Sequence, residues 1–129
     1  MKPQSKVSKT ALISVLATAA TLSLPHASQA REEKAIKSCS SGNSFEFSVD
    51  WERSKVDFDF DIERGAAFER WTVRIKRDDQ VLVRRNLRSD EDGDLSREFV
   101  RRGQLNAGEK WTFSARSESG NSCKATVKF

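Results

Sequence analysis

Apolar and polar residues alternate along most of the chain from residue 45 onward. Phe45, Phe47, Val49 and Trp51 share one parity, with Glu46, Ser48 and Asp50 on the other. Val56, Phe58, Phe60 and Ile62 then alternate with Asp57, Asp59, Asp61 and Glu63. A period of two sends successive side chains to opposite faces of an extended strand, whereas a helix would scatter these apolar residues around its surface. Gly65 ends the run. Trp71, Val73 and Ile75 alternate with Thr72, Arg74 and Lys76, and Asp78-Asp79 turns the chain into Val81 to Leu87. An acidic loop, Ser89 to Asp94, leads to a short strand from Leu95 to Arg101. Trp111 to Arg116 and Cys123 to Phe129 alternate again, joined by a turn at Gly120-Asn121. Seven short strands with turn signals between them predict an all-β sandwich over residues 45–129.

Before residue 45 the pattern changes twice. Residues 31–44 are polar, charged from Arg31 to Lys37, and are expected to be a frayed N-terminal segment. Residues 1–30 have the three parts of a secretory signal. Lys2, Lys6 and Lys9 form a basic start, Ala11 to Leu24 is apolar, and Ser28-Gln29-Ala30 offers a cleavage site. The apolar run is short for a ~30 Å hydrocarbon core. The expectation is a secreted, extracellular protein whose mature chain begins at Arg31 and has no membrane span.

Export changes the charge argument. The full chain has 23 basic and 19 acidic residues, a net charge of +4. Residues 1–30 carry three lysines and no acid, so the mature chain is left at +1. Cys39 and Cys123 are the two cysteines, 84 positions apart. In an oxidising compartment they read as one disulfide. Cys123 shares its parity with Val127 and Phe129, so the bridge should face the core.

The mature chain holds no His, Tyr, Met or Pro, since His26, Pro3 and Pro25 all lie in the signal. It cannot build a Ser-His-Asp or Cys-His site, nor a His-based metal site. No cofactor and no enzymatic activity are expected. Asp57, Asp59 and Asp61 read as a solvated strand face. Asp90, Asp92 and Asp94 around Gly93 are the one candidate metal cluster. In calcium-loop numbering Arg88 and Phe99 would occupy the two anchoring positions, where carboxylates are needed. Arg84, Arg85, Arg88, Arg101 and Arg102 form two basic clusters. Nucleic-acid readers couple such clusters to aromatic platforms. Here the aromatics lie on the inward parity, so nucleic acid is not expected.

Leu105-Asn106-Ala107-Gly108-Glu109-Lys110-Trp111, leading into Thr112 to Arg116, resembles the corner and F strand of the fibronectin type III family. There a leucine, a Pro-Gly turn and an aromatic six residues after the leucine precede an alternating strand. Trp71 to Ile75 resembles the family's C strand. Ala107 stands where the proline would be, and Trp111 where the family has tyrosine, so an indole N–H must find a partner. The chain also resembles, more closely, small exported bacterial proteins with one disulfide. The resemblance implies an immunoglobulin-like sandwich and no particular activity.

In that layout strands one, two and five form one sheet, and three, four, six and seven the other. The first sheet then exposes Glu46, Asp50, Asp57, Asp59, Asp61, Glu63 and Glu98; the second exposes Arg74, Lys76, Arg116, Lys124 and Lys128. The expected function is a monomeric, secreted binding or structural module. Its partner would be an extracellular protein or an anionic envelope polymer docking on the basic face. The alternative is an inhibitor presenting Arg84 to Asp94 to a protease or other target.

Overall fold

β-Branched and aromatic residues on one parity and charged residues on the other fit a pleated surface buried on one side only. The computed structural model describes residues 30–129, so the expected signal, apart from Ala30, lies outside the described residues. Eight strands follow: β1 (Arg31–Ser38), β2 (Ser44–Glu52), β3 (Lys55–Ile62), β4 (Arg70–Arg77), β5 (Gln80–Arg88), β6 (Leu95–Arg102), β7 (Lys110–Ser117) and β8 (Ser122–Lys128). They form two antiparallel sheets of four, ordered β1-β2-β3-β6 and β5-β4-β7-β8. The architecture is an all-β sandwich compatible with an immunoglobulin-like fold. The expected division of strands between sheets is observed.

The expected count of seven strands is corrected to eight, and the segment 31–44 is not frayed. Its residues 31–38 are β1, paired with β2 from Arg31↔Trp51 to Ser38↔Ser44. The reason is backbone pairing rather than burial. The hairpin closes through Cys39 N–H to the Asn43 carbonyl at 2.7 Å, while Ile36, the strand's largest apolar residue, faces solvent at 70% exposure. The Cys39–Cys123 disulfide then ties this hairpin to β8, with both cysteines in the core as expected.

Between the sheets the three tryptophans are fully buried together with Phe45, Phe47, Phe58, Phe60 and Phe113. Phe113 takes Phe45, Phe47 and Phe60 at centroid distances of 5.5, 5.4 and 5.0 Å, and Trp111 takes Phe58 at 4.9 Å. Aromatic contacts of this kind add to the area they bury. The sandwich is unequal at its two sides. On one side β1 lies beside β8 and the disulfide closes the seam. On the other, Arg85 stacks over half-buried Phe99 at 5.7 Å, and Arg101 over Phe58 at 5.8 Å.

Candidate functional site

The outer surface of each sheet is dominated by charge of one sign. On the β5-β4-β7-β8 sheet the outward positions include Arg84 and Arg88 (β5), Arg70, Arg74 and Lys76 (β4), Lys110 and Arg116 (β7), and Lys124 and Lys128 (β8). These are nine cations, interleaved with Thr72, Asn86, Thr112, Ser114, Ser122 and Thr126 and with no carboxylate at an outward strand position. Arg70 lies opposite Arg88, Arg74 opposite Arg84, and Lys110 opposite Lys128. Like charges directly opposed on neighbouring strands oppose folding.

All five residues expected on this face are there. Arg74, Arg116 and Lys124, joined by Arg70, line a shallow depression of about 660 Å³ together with Thr72, Ser114 and Ser122 and, at its end, Glu118, whose Oε2 accepts the Arg70 backbone N–H at 3.3 Å. Lys76 and Lys128 lie on the same face outside it. Sequence reasoning missed four of the nine. Arg70 and Lys110 sit immediately before Trp71 and Trp111, where the visible alternation begins. Arg84 and Arg88 were grouped with Arg85 as one cluster. Arg85 pairs with Val73 and points between the sheets, so the cluster divides. The parity of Val83, buried opposite Ile75, carries the signal that places Arg84 outward.

None of the nine cations lies within ion-pair distance of an acid. Among the described residues there are two ion pairs, Lys34–Glu46 at 3.1 Å and Arg77–Glu109 at 2.6 Å, and neither is on this face. Two acids, Glu118 and Asp78, lie in the turns at the ends of the strands and accept the backbone N–H groups of Arg70 and Lys110.

The β1-β2-β3-β6 sheet is predominantly acidic on its outer face. Glu32, Glu46, Asp50, Glu52, Asp57, Asp59, Asp61 and Glu98 occupy outward strand positions, with three cations, Lys34, Lys55 and Arg102, among them. Asp50 faces Asp57, Glu46 faces Asp61, and Asp59 faces Glu98. Three of these carboxyls, Asp50, Asp59 and Asp61, are raised above the ordinary aspartate range. Partial burial is the largest cause in each case, followed by Glu32 for Asp50, Glu98 for Asp59 and Glu63 for Asp61. Glu63 lies one residue past the end of β3.

The other candidates are structural in their contacts. Arg84 to Arg88 of the expected inhibitor loop are strand, and Ser89 is buried, its hydroxyl donating to the Ala66 carbonyl at 2.7 Å. The turn that follows docks on Gly65, whose N–H donates to the Gly93 carbonyl at 2.9 Å. A Cβ on Gly93, at φ +82°, would fall 1.9 Å from the Gly65 oxygen, so only glycine fits. Asp90, Asp92 and Asp94 bring carboxylate oxygens within 4.8 Å of one another. Asp90 Oδ1 accepts the backbone N–H groups of Asp92 and Asp94, both at 2.9 Å, and Asp94 Oδ1 accepts Arg64 N–H at 2.9 Å. These contacts account for the acids at Asp90 and Asp94 as turn formers. Arg101 and Arg102 lie on β6, in the other sheet.

The partner required by Trp111 is Glu109, a residue sequence reasoning did not single out. Its carboxylate is buried at 2% exposure. Oε2 accepts the indole N–H groups of Trp111 at 2.6 Å and Trp51 at 2.8 Å. Oε1 accepts Arg77 Nε at 3.1 Å, Arg77 Nη2 at 2.6 Å and the Asn106 amide at 2.9 Å. Burial pushes its pKa up. The hydrogen bonds from Trp111, Asn106, Arg77 and Trp51 outweigh that and hold it below the usual glutamate range. The arrangement fixes the turn before β7 and, through it, the outward row Lys110, Thr112, Ser114 and Arg116.

Among the described residues no helix is long and apolar enough to cross a membrane. No family model, curated protein or solved structure matches this chain, and the reading of the site rests on its own residues.

Proposed function

We propose that the chain is an exported, non-enzymatic binding module, and that the β5-β4-β7-β8 face docks on an anionic polymer of the cell envelope. The observation that carries this is the set of nine outward cations on one sheet with no acid in ion-pair reach. Folding gains nothing from opposing Arg70 with Arg88 or Arg74 with Arg84, whereas a polyanion laid across the strands would gain from both. The hydroxyls lining the depression suit the ligand's own hydroxyls, which favours an acidic polysaccharide. No aromatic ring stands at an outward strand position of this face to stack a nucleobase, and exposed Phe68 lies in the loop before β4. The fibronectin type III-like corner is supported by half-buried Leu105 packing on the core and by the Trp111–Glu109 bond. Secretion is supported by the disulfide and by the signal-like residues 1–30.

Retention on a dextran sulfate matrix tests the reading. The folded domain, residues 31–129, should bind at low ionic strength and elute as salt rises, because exposed charges are screened beyond ~8–10 Å near physiological strength. Reversing Lys76, Arg116 and Lys124 to Glu should abolish retention, and changing Asp57, Asp59 and Asp61 to Asn should preserve it. No retention of the parent, or equal loss in both variants, would overturn the assignment.

A further inference from the structure

The two charged faces belong to one rigid sandwich, on opposite sides of it. We propose that this makes the protein complementary to itself: the acidic β1-β2-β3-β6 face of one copy docks on the basic β5-β4-β7-β8 face of a second copy. A face with eight carboxylates and three cations, Lys34, Lys55 and Arg102, meets one with nine cations and no carboxylate at an outward strand position, and both stand on strands of the same spacing. Strand spacing is about 4.8 Å, and outward residues along a strand recur every ~6.8 Å on either sheet. An opposed carboxylate pair such as Asp50 and Asp57 can therefore lie against an opposed cation pair such as Arg84 and Arg74 without changing its spacing. Docking would place cations beside the opposed carboxylates of the first copy and carboxylates beside the opposed arginines of the second, relieving both. The ordinary obstacle to self-association, a large net charge, is absent in residues 31–129, where basic and acidic residues almost balance.

The geometry also fixes the kind of assembly. Because the two surfaces differ and lie back to back, the contact is heterologous and does not close by two-fold symmetry. Each added copy leaves one acidic and one basic face free, so association proceeds by stacking. A face of four strands, each about eight residues long, covers roughly 500 Å², below the ~800 Å² per partner of stable interfaces. The association is accordingly weak, dominated by charge, and dispersed near physiological salt, where the single copy prevails.

Sedimentation velocity on the oxidised domain, over micromolar to millimolar concentrations, tests this. At about 0.01 M salt, where the Debye length is ~30 Å, the weight-average mass should climb beyond that of a dimer; at about 1 M, ~3 Å, it should return to the monomer. The Asp57, Asp59, Asp61→Asn variant and the Arg74, Arg116, Lys124→Gln variant should each stay monomeric. An equimolar mixture of the two should form a dimer that does not extend. A parent that is monomeric at every concentration in low salt, or that associates equally well in either variant, would overturn the proposal. The inference stands apart from polymer binding, because the Asn variant loses stacking while its basic face still binds dextran sulfate. Circular dichroism of both variants establishes that they are folded.

Discussion

The interior and the two faces of this sandwich treat charge in opposite ways. Inside, the one fully buried carboxylate with a charged partner, Glu109, has a donor for every approach: two indoles, a guanidinium and a backbone amide. Outside, carboxylates face carboxylates and arginines face arginines across neighbouring strands. The same chain answers a buried charge completely and leaves surface charges of one sign opposed. The interior is arranged for stability, and the faces carry an arrangement that stability alone opposes. That contrast locates function on the faces.

Removing the interior side of the contrast should give the largest effects. Trp111→Ala empties the centre of the aromatic cluster and should cost about 3–5 kcal/mol in chemical denaturation. Glu109→Gln presents an amide N–H₂ where donors already converge. It should cost about 3 kcal/mol, the low end for a broken buried pair, because a fifth of the Arg77 side chain remains in water. A Glu109→Gln protein as stable as the parent would mean that the carboxylate does not organise this end of the core.

The disulfide comes next. Replacing Cys39 and Cys123 together by Ser should lower stability by about 2–5 kcal/mol. Hydrogen exchange should then rise first in β1, which has a partner on one edge only and is held at its end by the bridge. Uniform loss of protection across both sheets would show β1 to be no weaker than the rest.

Neutralising the acidic face should act in the opposite direction. Asp57, Asp59 and Asp61→Asn relieves three like-charge oppositions, with Asp50, Glu98 and Glu46, and should stabilise by about 1 kcal/mol at neutral pH and low salt. The gain should shrink as salt is added. A loss of stability would break the contrast, since it would make these half-buried carboxylates contributors to the fold.

The smallest effect is in pH. Asp50, Asp59 and Asp61 have raised folded pKa values. As pH falls through them the native state takes up protons ahead of the unfolded chain, so stability rises, and the gain is complete below the unfolded value near about 4. Glu109 is lowered, so what it contributes is present above the unfolded value and lost as pH falls through its folded one. Stability should therefore rise slightly on mild acidification and then fall. The Asn variant should lose most of the rise and keep the fall.

Much of this was legible in the sequence because strand parity is a strict code. Alternation gave seven strands, the inward disulfide and the signs of both faces. β1 was illegible because its alternation is of charges and its one large apolar residue, Ile36, points outward; backbone pairing holds it. Arg70 and Lys110 were missed because strands begin one residue before the first buried tryptophan. Glu109 looked like an ordinary turn residue. Its burial depends on Trp51 and Arg77, 58 and 32 positions away, and no local pattern reports a convergence of that range.

The most direct test of the central claim is a titration of isotopically labelled domain with soluble dextran sulfate, followed by amide chemical shifts at a concentration where the protein is monomeric. Shifts confined to outward residues of Arg70–Arg77, Gln80–Arg88, Lys110–Ser117 and Ser122–Lys128, and reversed by salt, are the predicted result. Shifts centred on the Ser89 to Asp94 turn or on the acidic sheet, or none at all, would contradict it.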